Sequence, residues 1–279
     1  MKDRVLVALI LVPILFVILF LLPPFAFVIV MALICAICAY ELLHSIGRNG
    51  NGSENDRITI YAIISSCLIP IGIHYQVGEL VFITAFLALM CLVFLEAILF
   101  YKTKKEIKFS QILTAIFAGA LMPLTLSSLV ILRNLPEGQL MVLIPFVSAF
   151  VTDAGAYFTG VIIGKHRAFP RISPNKTVEG YIGGLITGTA VMLLYGAIIY
   201  FSTLHEVKFH ALILYGIIGA IVTSLGDLSF SLVKREFNIK DYGKLIPGHG
   251  GMLDRFDSMV FTAPALYLLI FAIPAIIVK

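Results

Sequence analysis

Apolar residues in this chain do not alternate with polar ones; they run. Continuous apolar stretches lie at about Val5–Leu22, Phe25–Leu43, Ile58–Ile73, Leu80–Tyr101, Ile112–Leu132, Met141–Ile163, Tyr181–Phe201, Ala211–Leu228 and Met259–Val278. Most can cross the roughly 30 Å hydrocarbon layer as a helix rising about 1.5 Å per residue. Membrane β-strands would alternate polar and apolar over about ten residues, which these stretches do not. The pattern predicts an all-α polytopic membrane protein with about nine transmembrane helices. The first stretch follows Lys2 and Arg4, as a signal peptide would. Pro23-Pro24 and a second span follow at once without a small-residue cleavage site, so a retained first helix and a tight turn are expected.

Nine spans place alternate loops on alternate sides. One side receives the N-terminus and the loops near 44–57, 102–110, 165–180 and 229–258, and with them 17 of the 20 Lys and Arg residues. The other side keeps only Arg133, Lys208 and Lys279. Lys and Arg stay cytoplasmic during insertion, so the N-terminus and the basic loops are expected inside; the compact single-domain form points to a bacterial inner membrane. Composition agrees: 60% of residues are hydrophobic and 13% charged, with a mean hydropathy of +1.03. These values exclude a disordered chain, a collagen-like fibre or a disulfide-rich module, and leave too little charge for a water-facing surface. The net charge of +4 hides a basic inner face suited to anionic headgroups or phosphates, and nothing points to nucleic acid. Cys35, Cys38, Cys67 and Cys91 all sit in apolar runs, and the Cys35–Cys38 pair reads as packing rather than redox or zinc chemistry.

Organisation follows the loops. Residues 1–139 hold helices one to five, and 140–279 hold helices six to nine with the chemistry-bearing loops, within one integral membrane domain. The polar stretch near 47–57 reads as a linker, and Lys102, Lys104, Lys105 and Lys108 as an orientation signal. The segment Ser231 to Asp257 offers Lys234, Arg235, Lys240, Lys244, His249 and Arg255 as cationic donors, with Asp241 among them. Its Pro-Gly248-His-Gly250-Gly251 run permits close backbone approach, as phosphate loops require. Asp254 and Asp257 stand three apart at the start of the last helix, on one face, and suit a hard cation such as Mg2+ that takes substrate phosphates as co-ligands. Asp227 ends the eighth span beside this loop. Asp153 lies deep in the sixth, where an unpaired ionisable group is costly. Asp153, Tyr157, Gly160 and Gly164 recur at helical spacing, as one wall of a cytoplasm-facing funnel. The loop near 165–180 contains Ser173-Pro-Asn-Lys176-Thr177, read as the start of the next helix and an anion site. Glu41 and Glu96 lie near inner helix ends, where snorkelling accounts for them.

The segment from Ser231 to Asp257 matches, position for position, the signature of the phosphatidate cytidylyltransferases, also called CDP-diacylglycerol synthases. The matching pattern is Ser, Lys-Arg, Lys-Asp, Pro-Gly-His-Gly-Gly, then Asp-Arg-x-Asp. Asp153-Ala-Gly-Ala-Tyr157-Phe-x-Gly160 and Ser173-Pro-Asn-Lys176-Thr177-x-Glu179-Gly180 are similar to the same family. The resemblance covers roughly 140–279, and the first half by span pattern alone. It implies a nine-helix homodimer that joins phosphatidate to CTP with Mg2+, and with a second cation if one is used, releasing pyrophosphate. Asp227, Asp254 and Asp257 would be metal ligands. Lys234, Arg235, Lys240, Asp241, His249 and Arg255 would serve the chemistry. Asp153, Tyr157, Ser173, Lys176, Thr177, Ser231, Gly248, Gly250 and Gly251 would contact substrate. Alternatives are another lipid phosphate as acceptor or, in a different class, a cation-coupled transporter, against which the one-sided clustering of polar residues counts.

Overall fold

The computed structural model of the chain describes residue 13 and residues 16–49, 56–103, 105–203, 205–245 and 250–277. Eight helices among the described residues are long and apolar enough to cross a membrane. The nine expected runs thus yield eight; the first, Val5–Leu22, lies mostly outside the described residues and shows a π-helical turn at Val17–Leu21. The eight are α1 (Pro24–Asn49), α2 (Asp56–His74), α3 (Gly78–Leu99), α4 (Phe109–Asn134), α5 (Gly138–Ile163), α6 (Val178–Ser202), α7 (Phe209–Glu236) and an eighth span, Leu253–Ala272, made of a single turn α8 (Leu253–Phe256) followed by α9 (Met259–Ala272). Two small antiparallel pairs join them: β1 (Arg167–Phe169) with β2 (Ser173–Thr177), and β3 (Glu206–Val207) with β4 (Ile276–Ile277). The surface carries large apolar side chains such as Ile162 (76% exposed) and Phe201 (85%), as lipid contact demands and water would not.

The chain divides into two compact units. The first combines residues up to Asn134 with the later segment Lys234–Phe256. Its core packs Ile58, Ala62 and Ile69 of α2 against Ala85, Leu89 and Val93 of α3 and Ile112, Ala115 and Ala120 of α4. Helix α4 carries a π turn at Phe117–Leu121, and there Gly119 approaches α2 so closely that a Cβ would stand 2.9 Å from the Ala62 Cα. Cys35 and Cys38 are fully buried on α1, as small core residues are.

The second unit comprises Leu135–Val233 and Asp257–Lys279. Its tightest seam is α5 on α6, where glycines of one helix receive threonines of the other. A Cβ on Gly155 would lie 1.8 Å from Thr187 Oγ1, and one on Gly183 2.2 Å from Thr159 Oγ1. Small residues let backbones approach where lipid offers no hydrophobic drive. Polar side chains lock the remaining contacts: Tyr195 donates to the Leu140 carbonyl (2.6 Å), Tyr215 to the Ile273 carbonyl (2.7 Å), and Thr223 and Thr262 share a hydrogen bond (2.8 Å).

Three expectations about elements change. Ser173–Thr177 forms a strand rather than the first turn of a helix, and α6 begins only at Val178. Thr177 is the N-cap, its side chain accepting from Gly180 N–H at 3.1 Å. The last apolar run is helical only to Ala272, beyond which the chain extends to pair with β3. The helix expected to carry both Asp254 and Asp257 is broken between them, because residues 257 and 258 form a turn separating α8 from α9.

Candidate active site

In the first unit the polar residues gather around Asp254. Helix α7 stops after Glu236, and Asn238 adopts a left-handed conformation (φ 54°). Ile239 and Tyr242 are then buried and anchor the strand of chain that follows. Asp254 lies in the first turn of the short helix α8, with a side chain only 4% exposed. Its Oδ2 accepts the backbone N–H groups of Tyr242 and Gly251, each at 2.9 Å, and its Oδ1 accepts Lys234 Nζ at 3.0 Å. Lys234 also lies over the Tyr242 ring, 5.3 Å from its centre. Gly250 takes φ +82°, and a Cβ there would meet Asp254 Oδ2 at 2.8 Å and Asp241 Oδ1 at 3.3 Å. So Lys234, Asp241, Gly250, Gly251 and Asp254 are brought together. Arg235, Lys240 and Arg255 are exposed nearby in the chain. Gly248 and His249 lie outside the described residues.

Glu41 belongs to this cluster, which the snorkelling interpretation missed. It is buried in α1, and its carboxylate accepts the N–H groups of Met252 (3.0 Å) and Leu253 (2.8 Å). A Cβ on Gly243 or Gly251 would lie 2.2 or 2.4 Å from that carboxylate. The two glycines therefore make room for an acid. The available signal was an ionisable residue inside an apolar run.

In the second unit the centre is Asp227 on α7. Its carboxylate receives the ammonium of Lys176, carried by β2, and lies 3.5 Å from Ser231 Oγ one turn along the helix. Glu179 fixes the start of the hairpin by accepting the N–H groups of Lys165 and His166, at 3.1 and 3.2 Å, and His166 Nδ1 at 2.5 Å. Lys176 Nζ also stands 5.9 Å from the centre of the Tyr181 ring. Tyr181 was not singled out from the sequence. Its hydroxyl is buried without a hydrogen-bond partner among the described residues. Asp257 is 6% exposed and its Oδ1 accepts the Ser258 N–H at 2.7 Å.

The proposed funnel stripe divides. Asp153 and Tyr157 are exposed on α5, and Asp153 lies ten residues, or about 15 Å, from the end of the helix. Gly160 and Gly164 instead meet Thr177, whose Oγ1 would stand 3.1 and 2.7 Å from their added Cβ atoms. They serve the seating of the α6 cap. Ser173 opens β2, four residues before that cap.

The arrangement has a consistent chemical character. Lysine ammoniums rest on largely buried aspartates, arginines stand exposed, and backbone amides are collected by carboxylates. Positive groups held in reserve near oxygen donors suit a reaction between phosphate anions. A model described as the cytidylyltransferase family matches residues 2–273. The chain belongs to the cytidylyltransferase family. Relatives named phosphatidate cytidylyltransferase include one from Staphylococcus saprophyticus, 44% identical over 49% of this chain and 51% of its own length. Another, from Staphylococcus aureus, is 45% identical over 48% of this chain and 50% of its own. The chain thus spans about half the length of these relatives in the matched stretch. One from Staphylococcus epidermidis is 35% identical over 76% of this chain and 80% of its own length. The Lys234–Asp254 pair falls inside the Ser231–Asp257 segment that carried the resemblance, and Lys176 inside Ser173–Gly180, while its partner Asp227 stands four residues before Ser231.

Proposed function

We propose that this chain transfers the cytidylyl group of CTP to phosphatidate, giving CDP-diacylglycerol and pyrophosphate, with its loops on the cytoplasmic side of a bacterial cell membrane. The observation that carries the reading is the family match through residues 2–273, alongside relatives named for that activity. The paired lysines and aspartates support it. A phosphatidate oxygen attacks the α-phosphorus of CTP. The new P–O bond forms as the bond to the β-phosphate bridging oxygen breaks, and pyrophosphate leaves. Both reactants are anions, so their repulsion must be cancelled.

Lys176 and Lys234 hold phosphate oxygens in exchange for the aspartates they now contact, and the exposed Arg235, Lys240 and Arg255 add charge. Ser231 and Ser173 lie in the same two segments and contribute hydroxyls to substrate contact, whereas the Thr177 hydroxyl, buried as the α6 cap, does not. No protein nucleophile is needed, because phosphatidate is already ionised. Mg2+ fits the donor chemistry of each unit taken by itself: Asp254 in the first, and Asp227 and Asp257 in the second, offer only oxygen, and Asp254 and Asp227 each already hold a lysine ammonium. Among the described residues no three His, Cys, Asp or Glu are gathered for a metal, but Mg2+ commonly uses one or two carboxylates together with substrate phosphates. When bound, it would neutralise charge on the transferring phosphates; a second cation and a homodimer belong to the same reading. The test is to incubate purified protein with CTP labelled at the α-phosphorus and phosphatidate in mixed micelles. Label entering the lipid phase is expected. Label that stays aqueous, or that enters only when a different lipid phosphate is supplied, overturns the assignment.

A further inference from the structure

We infer that Glu41, two hundred residues away from the signature in sequence, is a positioning residue for the Asp254–Arg255 turn; the inference rests on the cytidylyl-transfer reading above. Its two carboxylate oxygens accept consecutive backbone amides, Met252 N–H on Oε1 at 3.0 Å and Leu253 N–H on Oε2 at 2.8 Å. The next amide back, Gly251 N–H, is taken by Asp254 at 2.9 Å. Three successive amides at the start of α8 are thus satisfied by two acids, one from α8 itself and one from α1. Helix α8 has only four residues, too few to hold itself in shape, because nucleating a single turn is unfavourable. Its form is imposed by these carboxylates.

The surrounding chain is built to the size of Glu41. Gly243 and Gly251 leave no room for a methyl group, since an added Cβ would stand 2.2 and 2.4 Å from the Glu41 carboxylate. Burial of the residue to 5% means that its amide partners have no water to replace it. Removing the carboxylate frees the amides of Met252 and Leu253. The turn then loses the restraint that aims Asp254 at Lys234 and places Arg255 beside it. Glu41 itself takes no part in bond making.

The experiment compares Glu41→Gln, Glu41→Leu and a control, Ser45→Ala, in the full-length protein in detergent. Ser45 is similarly buried on α1 and donates to the Leu42 carbonyl of its own helix (3.1 Å). Gln keeps the reach of Glu but turns an NH2 towards one of the two N–H donors. Its kcat is expected to fall about ten- to a hundredfold, with KM for phosphatidate within about twofold. Glu41→Leu should fall further, and Ser45→Ala should keep the wild-type kcat. Hydrogen exchange of the Met252 and Leu253 amides should quicken by about tenfold or more in Glu41→Gln while α2 stays protected. A Glu41→Gln protein with more than half the wild-type kcat and unchanged exchange in that turn overturns the inference. So does a loss of kcat matched by Ser45→Ala. If the wild-type protein transfers no label at all, the functional reading fails by itself, and the exchange measurement still decides what Glu41 holds.

Discussion

Asp254→Asn isolates the most heavily engaged side chain of the first unit. The aspartate has one oxygen on Lys234 Nζ and the other on two backbone N–H groups, and it is 4% exposed. The amide can be placed two ways. If its NH2 faces Lys234, a donor meets an ammonium that is itself only 13% exposed. If the NH2 faces Tyr242 and Gly251, two amide donors lose their acceptor. Removing one partner from a buried ion pair costs about 3–5 kcal/mol, and each orphaned buried donor about 1–3 kcal/mol. A site distorted by about 3–5 kcal/mol loses roughly two to four orders of magnitude in rate, at about 1.4 kcal/mol per decade. Loss of a proposed metal ligand acts in the same direction. Label transfer from CTP to lipid at saturating Mg2+ is the assay, with elution from a sizing column as the check on folding. The double variant Lys234→Met with Asp254→Asn separates structure from chemistry. Without the stranded ammonium it should regain much of the thermal stability lost in Asp254→Asn but none of the activity. An Asp254→Asn protein that elutes normally and keeps over half its activity refutes the reasoning.

Membrane orientation is checked by single cysteines in a cysteine-free background: one at Thr203 should label from outside with an impermeant thiol reagent, and one at Ala168 only after permeabilisation. Gly155→Ala should lower thermal stability by about 1–3 kcal/mol through its clash with Thr187, and adding Thr187→Ala should restore most of that loss; an unchanged melting temperature in the single variant would show that the seam yields. Asp153→Asn should melt like the wild type yet lose activity or shift its Mg2+ dependence, whereas full activity in that variant would make Asp153 a structural acid.

Helices were legible because lipid leaves few alternatives: a continuous apolar run of sufficient length must satisfy its own backbone. The irregularities were not legible, because each depends on a neighbour distant in sequence. The π turn in α4 coincides with the approach of Gly119 to Ala62, and a glycine in an apolar run carries no mark of that. The end of α9 at Ala272 goes with the pairing of Ile276–Ile277 with Glu206–Val207. Strand β2, with Pro174 inside it, reads as loop or helix start, since a two-stranded hairpin with one exposed face lacks the alternation that would reveal it.

For the candidate site, spacing identified the lysines and aspartates but not their pairing. Lys176 meets Asp227 across fifty-one residues, a relation no local motif displays. The glycines show most clearly what sequence could and could not supply. A glycine-rich loop between basic residues invites the reading of a phosphate cradle, and that reading predicts backbone amides open to a ligand. In the structure the amides of Gly251, Met252 and Leu253 are already taken by Asp254 and Glu41. Gly250 has the positive φ of the turn, and Gly251 yields space to a carboxylate. Gly250 and Gly251 therefore have a reason that precedes any substrate: they let two acids organise one turn of helix. What faces a phosphate from this turn is the side-chain chemistry it displays, and an acid on α1 decides where that chemistry stands.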